Sequence, residues 1–236
     1  MFVFLRLALA HFLADFPFQT SEIYNLKKRK LRGRIFHGTI VAIMSFVLLL
    51  PFYKNIWVWG ICLFIGITHS LIDWAKLVCT DKKQNANHFL GFIIDQSAHL
   101  TINSIIFLTP LKNIVSANMR NLTLNTIYNN NIYIIYAISY IAVTFGFIYF
   151  IDTFRMTYLK NIYKPLDTKE KAIGVAARGI ILTLVAVPGD FYPAIVPVIL
   201  AEIYLLKSTG LKSSFANFII GTIPVIIIGL LLRFFT

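Results

Sequence analysis

Eight apolar stretches, at about residues 2–19, 35–53, 55–78, 89–109, 132–152, 173–188, 191–206 and 215–233, constrain what this chain can fold into. Each approaches the roughly 17–25 residues that a helix needs to cross a bilayer. In lipid the backbone finds no water to bond, so helices must satisfy their own N–H and C=O groups. The expected fold is all-α: a polytopic transmembrane helical bundle of about eight spans. Composition agrees, with 58% apolar residues, 14% charged residues and a mean hydropathy of +0.74. A soluble domain carries about 25% charged residues, so a water-covered globule is excluded. The sixth and seventh stretches are short and separated by Pro188-Gly189-Asp190-Phe191-Tyr192-Pro193, which leaves a re-entrant pair, and six full crossings, as the alternative.

The N-terminal run is read as a retained helix. Ala8-Leu9-Ala10 resembles a cleavage site, but too few residues precede it for a charged region plus an apolar core. His11, Asp15 and Gln19 then follow at helical spacing. The two cysteines, Cys62 and Cys79, fall on one predicted helix about 25 Å apart and offer neither a disulfide framework nor a metal pair.

A formal charge of +12 would suggest nucleic acid in a soluble protein. Here the basic residues sort by loop. Lys27, Lys28, Arg29, Lys30, Arg32, Arg34, Lys76, Lys82, Lys83, Arg155, Lys160, Lys164, Lys169, Lys171, Lys207 and Lys212 fall on one side, and Lys54, Lys112, Arg120 and Arg233 on the other. Sixteen against four places the basic loops in the cytoplasm and both termini outside a multi-pass protein of the cell membrane. The charge is then an orientation signal, and no nucleic-acid partner is expected. The organisation expected is a four-span module over 1–109, a polar Asn-rich outer loop over 110–131 and a four-span apolar supporting module over 132–236. Asn121-Leu122-Thr123 fits a glycan acceptor, but the richness in Ile, Asn, Lys, Phe and Tyr suggests an AT-rich bacterial genome, so no glycan is expected.

All five histidines lie in the first 99 residues, and His11, His37, His69 and His99 fall inside or at the edge of spans. Three pairs, His11 with Asp15, His69 with Asp73 and Asp95 with His99, are spaced i, i+4, which puts imidazole and carboxylate on one helix face. A carboxylate within a span costs roughly 2.5–3.5 kcal/mol on insertion scales, so this concentration demands a role. With the basic loops inside, all seven groups fall at the middle or the cytoplasmic half of the bilayer, where they can meet. His88, beside Asn87, reads as solvent-exposed; Lys76 either snorkels to the cytoplasm or neutralises Asp73. His11-Phe12-Leu13-Ala14-Asp15-Phe16 parallels His69-Ser70-Leu71-Ile72-Asp73-Trp74, so spans 1–4 read as a tandem helical-hairpin repeat with its site at the repeat interface. The second half carries Arg178, Asp190 and Glu202, with an Arg178–Glu202 pair expected and Gly174, Gly179, Gly221 and Gly229 fitting close helix contacts.

The pattern His11-x-Leu13-x-Asp15-Phe16-x-x-Gln19, His37, His69 to Lys76, and Phe92 to His99 with Asp95-Gln96 resembles the uncharacterised bacterial membrane-protein family known as domain of unknown function 3307. The run Asn217 to Thr222 looks like that family's C-terminal signature, which extends the resemblance over nearly the whole chain. Longer members carry Glu-Arg on the sixth span, where this chain has Ala177-Arg178. The family's activity is unassigned, so the resemblance implies architecture and a polar site without a reaction.

Imidazole and carboxylate together suit zinc, iron or manganese. The first expectation is a metal-dependent membrane hydrolase in which His11, Asp15, His37, His69, Asp73 and His99 hold a divalent metal such as zinc and Asp95 acts as general base. Its substrate would be a lipid-linked or membrane-buried ester or phosphoester. The alternatives are a proton- or ion-coupled transporter, for which intramembrane His and Asp are usual, and a scaffold whose basic residues Lys27 to Arg34 contact anionic lipid or a soluble cytoplasmic partner.

Overall fold

Every regular element among the described residues is helical, as the apolar runs require. The structure is a computed structural model and describes residues 1–81, 87–160, 165–187, 189, 191–208 and 214–234. Lys82, Lys83, Lys164, Asp190 and Lys212, to which the sequence assigned sides of the membrane or a turn, lie outside these residues. The helices are α1 (Phe2–Asp15), α2 (Ser21–Arg29), α3 (Leu31–Leu48), α4 (Ile56–Asp81), α5 (His88–Asn103), α6 (Leu122–Asn129), α7 (Asn131–Ile141), α8 (Phe147–Tyr158), α9 (Thr168–Ala186), α10 (Ile195–Ser208) and α11 (Ser214–Phe234). A π-helical turn, Ala142–Gly146, fuses α7 to α8. Among the described residues, Leu31–Leu48, Ile56–Cys79 and Asn131–Tyr158 are long and apolar enough to cross a membrane. Tyr192–Leu205 and Ile220–Phe234 are apolar but shorter.

The first apolar run ends earlier than its composition suggests. Pro17 has no N–H and disfavours helix at the residue before it, and α1 stops at Asp15. Its 14 residues reach only about 21 Å. Leu5 to His11 are buried without a break, so α1 is a core helix enclosed by protein rather than a lipid-facing span. The basic segment after it is also helical: Thr20 Oγ1 accepts from the Ile23 N–H at 3.3 Å and starts α2.

The chain divides into two compact units, Met1–Ile138 and Ser139–Thr236. In the first, α1 packs on α3 and α5, α3 on α4, and α2 on α3. Phe2, Val3, Leu7 and Ala14 of α1 join Val41, Val58, Ile61 and Ile65 in the core. The 110–131 connection closes one end of this core: Leu111 is fully buried and α6 forms within it. Its asparagines hold the backbone, with Asn129 bonding both the N–H and the C=O of Ala117. At the same end Arg6 is fully buried, donating to the carbonyls of Phe2 and Tyr128 and to Asn131 Oδ1, with its guanidinium over the Phe2 ring. The Tyr128 hydroxyl donates to Leu48 O at 2.5 Å, and burial pushes that phenol up to about 12.

In the second unit α9 packs on α10 and α11. A capping box starts α9, Asp167 accepting from the Glu170 N–H and Glu170 from the Asp167 N–H. The expected Arg178–Glu202 pair is not a direct contact. Arg178 donates through Nε to Val143 O at 2.6 Å and through Nη2 to Thr144 O at 3.0 Å, both carbonyls of the π turn. A π turn withdraws carbonyls from regular pairing, and the guanidinium satisfies them. Glu202 instead accepts from Thr222 Oγ1 at 3.5 Å.

Two helix approaches in the first unit are very close: α2 on α3 at Gly33, and the crossing of α3 and α4. A Cβ on Gly38 would stand 2.0 Å from Ser70 Oγ and 2.5 Å from Gly66 O, and one on Gly66 would stand 2.7 Å from Gly38 O. The Ser70 hydroxyl could rotate aside, but the carbonyls of Gly66 and Gly38 belong to the backbone and cannot. Gly38→Val is expected to destabilise the protein by at least ~1–3 kcal/mol, the usual overpacking range, in thermal unfolding in detergent. Thr39→Ala, one exposed residue along, is expected to leave the midpoint unchanged.

Candidate functional site

Helical spacing presents each imidazole–carboxylate pair on one face, and packing turns those faces toward one another. His11 and Asp15 come from α1, His37 from α3, His69 and Asp73 from α4, and Asp95 and His99 from α5. All seven are buried, none more than 4% exposed. Within helices, His11 Nδ1 lies 3.9 Å from Asp15 Oδ2, His69 Nε2 3.5 Å from Asp73 Oδ2, and His99 Nε2 3.5 Å from Asp95 Oδ1. Between helices the His69 and His99 rings stack with centroids 3.9 Å apart, and His11 lies 5.0 Å from His99.

The tightest feature is a triangle of atoms from three helices. Asp15 Oδ1 is 3.0 Å from His37 Nε2 and 3.1 Å from His69 Nε2, and the two nitrogens are 3.1 Å apart. Protons alone cannot satisfy all three edges. If both nitrogens carry hydrogen and donate to the carboxylate, two N–H groups face each other. If either is bare, a lone pair faces the carboxylate or both nitrogens compete for one proton. Asp73 Oδ2 stands 3.9 Å from His37 Nε2 and 3.5 Å from His69 Nε2, over one edge of the triangle.

Three overlapping trios of ligand-type atoms lie within 4.8 Å of one another: His11, Asp15 and His69; His37, His69 and Asp73; and Asp73, Asp95 and His99. His69 and Asp73 are the shared members. Tetrahedral zinc at ~2.0–2.1 Å from its donors sets them about 3.3–3.4 Å apart, close to the triangle's edges. The buried atoms His11 Nδ1, His37 Nδ1, Asp95 Oδ1 and His99 Nε2 make no hydrogen bond, although Asp95 Oδ1 and His99 Nε2 face each other at 3.5 Å.

Two lysines and a glutamine complete the cluster. Lys27 Nζ lies 2.9 Å from Asp73 Oδ2, and donates to Asp73 Oδ1 at 3.0 Å and Gln19 Oε1 at 2.6 Å. Sequence alone placed Lys27 in a solvated basic loop; α2 buries it to 7% exposure. The available signal was helical periodicity, because Lys27 falls one turn after the half-buried Ile23. Lys76 pairs with Asp95 at 2.8 Å, rather than neutralising Asp73. Gln96 Nε2 donates to Asp15 Oδ2 at 3.3 Å and Asp95 Oδ2 at 3.2 Å, while its Oε1 lies 3.2 Å from His11 Nε2. His88, half-buried, is the first residue of α5, and Asn87 caps that helix through the Leu90 N–H. With Asp73 and Asp95 each paired to an ammonium, Asp15 is the cluster carboxylate without one among the described residues, and it holds the triangle.

Known proteins add family membership and nothing further. The model of the family described as Protein of unknown function (DUF3307) matches residues 3–129, which include every residue of the cluster. The run at 217–222 lies beyond that match. No curated protein and no solved structure matches the chain.

Burial alone would lower the Lys27 pKa; Asp73, with Asp15 and Asp95 beyond it, more than offsets that and raises it above the ordinary lysine range. A raised folded pKa contributes stability that is complete below the unfolded value of about 10.4 and is lost as pH climbs through the folded one. Lys27→Met leaves Asp73 buried without its cation, a change that typically costs ~3–5 kcal/mol. The expected result in denaturation is a large loss of stability for Lys27→Met, partly restored in Lys27→Met/Asp73→Asn.

Proposed function

The chain belongs to the DUF3307 family, and from the geometry of its buried site we propose that it is an integral membrane protein with a divalent-metal centre that hydrolyses a lipid-linked or membrane-buried ester or phosphoester. The observation that carries this reading is the Asp15–His37–His69 triangle, whose three edges suit convergence on one cation better than any arrangement of protons. Asp73 is the fourth donor. His11 and His99 border the same space, as members of a second shared ion or as orienting partners. Neutral imidazoles bind without adding charge, and Asp15 and Asp73 offset the charge of the ion. A bound metal supplies a Lewis acid and an activated water. Asp95, outside the triangle, with Oδ1 facing His99 Nε2 at 3.5 Å and Oδ2 paired to Lys76, is the general base in this reading.

The topology that accompanies it has eight traverses with both termini outside the cell membrane, supported by the sixteen-to-four division of Lys and Arg. In it α1, about 21 Å long, covers only part of the bilayer depth and is enclosed by protein. The tandem hairpin repeat is supported by the equivalent pairs His11–Asp15 and His69–Asp73 reaching one cluster. A second reading, a proton-coupled transporter, is favoured by charge: among the described residues of the cluster, three carboxylates against two lysines leave one negative charge, which one proton would neutralise.

In detergent-purified protein, metal content is expected to be stoichiometric in the wild type and lost in His69→Ala and His37→Ala. Asp95→Asn is expected to keep the metal while hydrolysis of a membrane-dissolved phosphoester falls by ~10²–10⁴, the usual worth of a general base. Metal-free wild type with pH-driven uptake would favour the proton reading. For topology, in a Cys62→Ser/Cys79→Ser background, a membrane-impermeant thiol reagent added outside is expected to label Arg120→Cys and spare Lys30→Cys.

A further inference from the structure

On α3 and α4 two stripes run side by side. Gly33, His37, Val41 and Ser45, with Ile65, His69 and Asp73, turn inward. The neighbouring stripe, including Leu31, Ile35, Ala42, Leu63, Ile67 and Trp74, lines an open groove of about 540 Å³. Its floor is made of the small residues at the helix crossing, Gly38, Ala42, Gly66 and Ser70. The helices approach closely there, and none of the seven His/Asp cluster residues lines the groove. The walls are exposed apolar side chains: Leu31 is 66% exposed and Leu63 is 63% exposed. Both helices are long and apolar enough to cross a membrane.

One end of the groove differs from the rest. Arg34 is its only charged lining residue among those described, held there by donation from Nε to Lys27 O at 3.2 Å. Trp74 lines the same end from α4. Exposed Lys28, Arg29, Lys30 and Arg32 stand beside it on α2 and the start of α3. Tryptophan and basic residues concentrate at the lipid headgroup level, whereas beyond Arg34 the stripe from Ile35 through Gly38 to Ala42 runs on without charge for about 10 Å along α3. A cation at one end and an apolar trough beyond it match one amphiphile: an anionic headgroup over a hydrocarbon chain.

We propose that this groove is a binding site for an anionic phospholipid, with the phosphate-bearing headgroup at Arg34 and an acyl chain lying between Ile35 and Leu63 on the floor of Gly38, Ala42 and Gly66. The proposal rests on α3 and α4 being membrane spans and is independent of any metal in the cluster. Because the floor is the crossing that carries His37 and His69, a seated chain braces the two helices that supply the triangle.

The test uses full-length protein with Trp57→Phe and Trp59→Phe, which leaves Trp74 as the reporter, in phosphatidylcholine vesicles. At equal low mole fraction, brominated phosphatidylglycerol is expected to quench Trp74 with about fivefold higher apparent affinity than brominated phosphatidylcholine, the worth of one interfacial arginine. Arg34→Gln is expected to abolish that preference, and Ala42→Phe, which fills the trough, to weaken quenching by both lipids. Equal quenching by the two lipids in the Arg34 protein, or a preference that survives Arg34→Gln, overturns the proposal. So does shielding of Trp74 from both lipids together with disulfide cross-linking of Ile67→Cys between copies, which assigns the groove to a second copy of the chain. Flotation with the vesicles after alkaline extraction reads the membrane spans separately: protein that fails to float refutes the spans and the proposal together, and protein that floats without headgroup preference refutes the lipid site alone.

Discussion

Asp15 Oδ1 joins three helices through one atom, lying 3.0 Å from His37 Nε2 on α3 and 3.1 Å from His69 Nε2 on α4. α1 is the helix that these contacts hold in the middle of the first unit, and its enclosure follows from them. A carboxylate taken out of water costs several kcal/mol unless it is paired and bonded. Asp15 therefore has to be surrounded, and His37, His69 and Gln96 surround it. Replacing such a cluster by apolar residues of similar volume is often neutral or stabilising. Its presence argues for chemistry rather than for stability.

The ends of α1 point to the same conclusion. A helix favours acidic groups near its N-terminus and basic groups near its C-terminus. α1 ends on Asp15, the reverse of the C-terminal preference, and buries Arg6 in its second turn. Each draws most of its partners from other segments of the chain. Arg6 finds two carbonyls, an amide oxygen and two aromatic faces; Asp15 finds imidazoles. Departures from local preference of this kind concentrate at functional sites. They also explain why 110–131 is folded: α6 and Asn131 supply the partners that Arg6 requires.

The i, i+4 pairs were legible in the sequence because a single helix decides them. The all-helical architecture was legible too, since apolar runs of that length leave the backbone no other partner. The end of α1 was less so. Its apolar run continues through Phe16 and Phe18, but Pro17 stops the helix, and enclosure rather than lipid accounts for its hydrophobicity. Lys27 was misread for a different reason. In a run of Lys27-Lys28-Arg29-Lys30 every residue has the same composition signal, and only the rotation of α2 selects one of them to face Asp73.

By itself the sequence determined helices, apolar faces and three imidazole–carboxylate pairs, because these follow from backbone hydrogen bonding in apolar surroundings and from 3.6-residue periodicity. The tertiary structure decided which pairs share atoms, which carboxylate is left without an ammonium, and which face of α3 and α4 remains open beside Arg34. Those outcomes depend on helix rotation and on the Gly38–Gly66 approach. Both are set by side chains meeting across helices tens of residues apart in the chain, a relation that no local spacing encodes.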